Sequence, residues 1–236
     1  DIYSMRKIYK FEDFIGEGRS AYDGLASKLT KATMNKWVKG YSGGNAKINF
    51  SEQIEERGLE FDLDATIHID KKFKGFEVLG STGADGRDDD DEGDFQTPFI
   101  NIDFGINPDW IPGEWSTVYF NLADVMRHEM EHITQEGKDH GNYRAGKPDT
   151  DDTELRAYIK MGLLPDSQYL MLPKEVDANL QGLRYEAKKR KEPMADAVNR
   201  YLDTKEQGGQ IDGKEREEVL TLWRRRAKKI GGIPKF

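Results

Sequence analysis

The chain has 236 residues, with Lys+Arg 36 against Asp+Glu 44, a formal net charge of -8, four His and no Cys. Without Cys, disulfide scaffolds, thiol nucleophiles and thiolate metal sites are excluded, so any zinc must sit on imidazole and carboxylate. The acidic balance disfavours nucleic acid as a partner, no run of about 18 apolar residues is present to cross a membrane, and a hydrophobic share of 36% suits an ordinary globular core.

In chain order, Ser20 to Val38 places Leu25, Leu29, Met34 and Trp37 at helical spacing, with Gly40 as a stop. From Leu59 to Ile69 apolar residues alternate with Asp62, Asp64, Thr66 and His68, the period of a strand with one buried face, and His68 reads as an exposed strand residue. A second strand is expected over Phe73 to Leu79. Gly80 to Gly93 then reads as a Gly/Asp loop, and Phe99 to Ile106 as a third strand.

Asn121 reads as the N-cap of the next helix, with Asp124 as its acidic N3 partner and an apolar face of Leu122, Val125, Met126 and Ile133 running up to Gly137. Further helices are expected over Thr153 to Met161, Pro173 to Lys189 with Pro in the first turn, Pro193 to Leu202 and Lys214 to Lys229. This is an α+β order: an N-terminal helix, a mixed sheet, then helices. The start at Asp1 carries no apolar leader segment, so a soluble, cytoplasmic protein is expected. Secretion stays open because the chain does not begin with Met.

The helix after Asn121 contains His128-Glu129-Met130-Glu131-His132, an H-E-x-x-H sequence. Residues four apart share one helical face, so both imidazoles can reach one ion, while Glu129 is rotated to the side and can address a metal-bound water as a general base. That is the division of roles needed for zinc hydrolysis. With so few histidines, chance matches to this pattern number on the order of 0.01.

A catalytic zinc wants a third protein ligand. His140 would complete the extended H-E-x-x-H-x-x-G-x-x-H pattern only with Gly at 135 and His at 138, where this chain has Gln135 and Lys138. The alternative is a carboxylate from a later helix, and Pro173-Lys-Glu175-Val-Asp177-Ala-Asn179 opens one; Glu175 is the preferred ligand, with Asp177 and His140 as competitors.

On these two motifs the chain resembles the gluzincins, the thermolysin-like branch of the H-E-x-x-H peptidases, and Glu175-Val-Asp177-Ala178-Asn179 resembles the small gluzincins of the stress-response and phage-repressor type. The resemblance covers the two motifs and the order of elements between about residues 59 and 190. It implies a zincin-like fold and one catalytic Zn2+ on His128, His132 and Glu175. It also implies that Asn179 orients a zinc-bound imidazole where the family commonly has Asp, and that peptide or protein substrates are hydrolysed with Glu129 as base. A donor to the oxyanion is expected from His140, Tyr143, Tyr158, Tyr169, Arg184 or Tyr185. An extended substrate is expected along an edge strand, for which Phe99 to Phe104 is nearest in sequence.

Residues 1–190 are accordingly read as a zincin-like metallopeptidase domain, and 191–236 as a helical extension packed on it or appended. The alternative function is a non-catalytic metal-binding module, or one that binds protein or nucleic acid through its basic tail.

Two weaker signals remain. Asp88-x-Asp90-x-Glu92-Gly93 imitates half of a Ca2+ loop, but Phe99 stands where the bidentate Glu belongs, so a solvated acidic loop is expected. In the tail, Val219, Leu220, Leu222 and Trp223 form an apolar patch on a helix whose end, Arg224-Arg-Arg226, suits the negative pole of the helix dipole.

Overall fold

The structure is a computed structural model and describes residues 11–56, 59–84, 98–110, 115–136 and 150–236. It is mixed α+β. The helix α1 (Phe11–Gly40) leads into four strands, β1 (Ala46–Glu56), β2 (Leu59–Ile69), β3 (Phe76–Ala84) and β4 (Pro98–Ile106). Five helices follow: α2 (Trp115–Glu136), α3 (Thr150–Lys160), α4 (Pro173–Arg190), α5 (Met194–Gln207) and α6 (Gly213–Ile230). The acidic stretch 88–94, His140 and Tyr143 lie outside the described residues, so the Ca2+ expectation has no structural counterpart here.

The sheet order is β1-β2-β4-β3, with β2 and β4 parallel and the two outer pairs antiparallel. Register places Leu63 beside Ile100, Ala65 beside Ile102, Ile67 beside Phe104 and Ile69 beside Ile106, all buried. Because side chains alternate across a strand, these residues share the face covered by α1 and α2. Trp37 of α1 stacks on Phe104 with ring centroids 5.3 Å apart. His68 lies on the opposite face, half exposed, with its Nε2 3.9 Å from Asp103 Oδ1.

Several boundaries differ from the sequence reading, for identifiable reasons. Strand β1 was not anticipated: it buries only Phe50 and Ile54, and its other positions are mostly polar, as suits an edge strand. Phe73 does not open β3 because its ring packs over Gly105, where any Cβ would collide with it, and the chain turns before pairing at Phe76.

Helix α2 begins at Trp115, six residues before the expected cap. Val118, Leu122, Met126 and Met130 form one continuous buried stripe, and Asn121 sits inside the helix with Nδ2 donating to the Thr117 carbonyl at 2.9 Å. Strand β4 is interior, paired on both sides, and so has no edge to offer a substrate. Strand β3 takes the outer position.

A second core unites α4, α5 and α6 with the 3-10 turn Asp166–Met171: Val176, Leu180, Leu183, Val198, Leu202, Val219, Leu220 and Trp223 are buried together. Trp223 Nε1 donates to the Leu170 carbonyl at 2.8 Å. Arg226 does not serve the helix dipole alone; its guanidinium grips both oxygens of Asp177 on α4, at 2.6 and 2.5 Å. Among the described residues, no helix is long and apolar enough to cross a membrane.

The two cores are joined by buried charge. Asp23 of α1 accepts from Arg184 of α4 at 3.1 and 2.5 Å and from Arg127 of α2 at 3.4 Å, and Arg127 also donates to Glu131 at 2.8 Å. Arg127 is fully buried. Removing one member of such a group strands the others in low dielectric. Asp23→Ala is therefore expected to destabilise the protein by about 3–5 kcal/mol, read by urea denaturation.

Candidate metal centre

The elements that build the site are the middle of α2, the first turn of α4, the edge strand β3 and α3. On α2 the stripe Asp124, His128, His132 faces α4. That helix starts at Pro173, whose fixed φ and missing N–H suit a first turn, so Glu175 follows at once near the helix N-terminus.

Close approach of the two helices depends on Gly182. A Cβ there would collide with Asp124 Oδ1 and lie 2.9 Å from the Asp124 carbonyl oxygen and 3.3 Å from His128 Cβ.

The two imidazoles meet edge to face, with Nε2 atoms 3.1 Å apart. His128 Nε2 lies 3.5 Å from Glu175 Oε2, and His132 Nε2 lies 3.4 Å from Glu175 Oε1. These three residues, and no other group among the described residues, bring at least three His, Asp or Glu ligand atoms close enough together to hold a metal ion. At metal–ligand distances of about 2.0–2.1 Å, tetrahedral ligation separates ligand atoms by about 3.3–3.4 Å, so the triangle has the size that a small ion requires. Glu175 Oε2 is buried and, among the described residues, without a hydrogen-bond partner, as a ligand atom reserved for an ion would be.

The other oxygen is well held. Arg156 Nη2 of α3 donates to Glu175 Oε1 at 2.6 Å and Tyr169 OH donates to it at 2.9 Å, while Arg156 Nη1 donates to Tyr169 OH at 3.2 Å. Burial would push the Glu175 carboxyl up, but the two imidazoles of His128 and His132 beside it more than reverse this and leave its pKa far below the usual carboxylate range. Burial likewise works against a charged His132, yet its hydrogen bond to Glu175 leaves the imidazole pKa raised. Burial together with the charge of Glu175 pushes the Tyr169 hydroxyl up to about 12.

An open pocket of about 340 Å³ exposes this constellation and is lined by Gly80, Thr82, His128, Glu129, His132, Arg156, Tyr169 and Glu175, with Ser81 on the strand between. Compared with known proteins, the chain matches no family model, no curated protein and no solved structure.

The structure thus brings His128, Glu129, His132 and Glu175 together. It places Asp177 elsewhere, committed to Arg226. Of the expected oxyanion donors, Tyr169 lines the pocket; Arg184 is spent on Asp23 and Gln181, and Tyr185 is buried in the first core. Asn179 is buried, with its Nδ2 lacking a hydrogen-bond partner among the described residues.

Arg156, Thr82, Gly80 and Gly182 were not anticipated. No local motif marks them, since each matters only through what a distant element presses against it.

Gly182→Ala is expected to force α2 and α4 apart, lowering stability by about 1–3 kcal/mol and weakening metal binding in a chelator-competition titration. Asp124, one turn before His128, offers a pH test: burial and the charge of Glu186 hold its carboxyl pKa well above normal, against the pull of Arg200 and Arg190. A raised carboxyl favours the fold below its unfolded pKa and loses that contribution as pH rises through the folded value. Asp124→Asn should therefore raise the melting temperature at pH 8, with the gain shrinking as pH falls toward about 4.

Proposed function

We propose that the protein is a zinc-dependent metallopeptidase of the gluzincin type, with His128, His132 and Glu175 as ligands and Glu129 as general base. The observation that carries this reading is the triangle of ligand atoms, sized for tetrahedral ligation and containing a buried carboxylate oxygen that has no hydrogen-bond partner among the described residues. Two imidazoles and one carboxylate are a donor set that suits zinc, and three protein ligands leave a coordination position open. A zinc ion held there supplies Lewis acidity, lowering the pKa of water and polarising a carbonyl.

The remaining chemistry belongs to the chain. Glu129, next to a ligand and only 5% exposed, lines the same pocket and takes the proton of the attacking water, then delivers it to the leaving amine. Arg156, whose guanidinium carries five N–H donors, lines the same pocket and is the donor for negative charge that develops on the substrate oxygen, whereas the single Tyr169 proton is given to Glu175 Oε1. The edge strand β3, with Gly80 to Thr82 in the pocket wall, offers backbone groups to an extended peptide, the role that the interior β4 cannot fill.

A metal-binding module without turnover needs no base beside the ligands, and Glu129 favours the enzyme over it. Metal analysis of the purified protein should give one zinc per chain. Glu129→Gln should keep that zinc and lower peptide cleavage by at least about 100-fold. Zinc retained with equal activity in both forms would point to the binding module, and no zinc in wild type would refute the centre itself.

A further inference from the structure

The carboxylate of Glu129 is held by the sheet as well as by its own helix. Thr82 Oγ1 on β3 donates to Glu129 Oε2 at 2.5 Å and lies 3.4 Å from the Glu129 carbonyl oxygen. Two residues earlier on the same face of the strand, Gly80 has no side chain, and an added Cβ would lie 2.5 Å from Glu129 Oε1 and 2.8 Å from its Cγ. Val125, one turn before Glu129 on α2, closes the third side, its Cγ1 also 2.5 Å from that Cβ position. The side chain therefore sits in a slot cut by one glycine, with a hydroxyl at one end.

We propose that Thr82 is a positioning residue for the general base, fixing the Glu129 carboxylate in one rotamer by occupying Oε2 so that Oε1 is the atom that takes the proton. This rests on the metallopeptidase reading for its catalytic consequence, but the rotamer does not. A carboxylate on a two-torsion stem has several staggered positions open to it, and a single donor in a fixed strand selects one. The donor stands on the strand that borders the pocket, so the base is registered against the element that a bound peptide would pair with. Arg156 and Tyr169 treat Glu175 alike across the pocket: one oxygen is tied down, the other is left for chemistry.

Thr82→Val keeps the shape of the side chain and removes the donor; Thr82→Ser keeps the donor. In the zinc-loaded full chain, Thr82→Val is expected to bind one zinc as wild type does and to lower kcat for a peptide substrate by about 10–100-fold with KM little changed. Thr82→Ser should restore most of kcat. A mere packing role would give Ser the larger loss, and Val with unchanged kcat overturns the proposal.

Crystal structures of both variants provide a readout that needs no turnover. The Glu129 carboxylate should leave its slot in Thr82→Val and keep it in Thr82→Ser. An unmoved carboxylate in Thr82→Val overturns the proposal even if the protein cuts no peptide. Absence of zinc or of cleavage in wild type would instead refute the metallopeptidase reading and leave the rotamer comparison decisive for Thr82.

Discussion

The close approach of α2 and α4 is the constraint on which the rest of the centre depends. Two of the candidate ligands come from one helix and are fixed relative to each other by helical geometry; the third arrives on a helix far along the chain. Its position is set by how near the second backbone can come. Gly182 removes the side chain that would stand between them, seven residues after Glu175 and therefore two turns along the same face. Cooperation between a bare backbone position and a distant carboxylate is a property of packing, which dense protein interiors enforce to within a fraction of an ångström.

Charge reinforces that packing where apolar contact alone could not specify it. Asp23 ties α1 to α4 through Arg184 and to α2 through Arg127, so the three helices cannot slide past each other without unpairing ions in a buried setting. Such groups add little net stability over a well-fitted apolar core, but they are costly to misalign. The same logic holds on the far side of α4, where Arg226 takes both oxygens of Asp177 and removes it from competition for a metal.

Legibility followed the range of the interactions. The grouping of His128, Glu129 and His132 was readable because the three lie within one turn of one helix. Strand β2 was readable because a clean alternation from Phe61 to Ile69 meets one buried face. Glu175 was reached through a second motif and a proline that opens its helix.

What could not be read depends on partners remote in the chain. Thr82 falls in the stretch from Gly80 that reads as a Gly/Asp loop, yet β3 runs on to Ala84 because it pairs with β4, which sets Thr82 against α2. Arg156 has no neighbour in sequence that announces Glu175. Asn121 looked like a helix cap because capping preference is local, whereas the stripe from Val118 to Met130, set by the sheet beneath, extends the helix backwards past it. Strand β4 looked like an edge because it is nearest in sequence to α2, and only the parallel pairing with β2 shows that it is enclosed.

Helix α4 has a further consequence because it belongs to two bodies at once. Its first turn delivers Glu175 to the imidazoles, while Val176, Leu180 and Leu183 are buried with α5 and α6. An ion that fastens Glu175 to α2 would fasten the C-terminal helices to the sheet through the same rigid rod. Linkage is reciprocal: whatever free energy a bound ion adds to the docking of those helices is the free energy that their docking adds to binding of the ion.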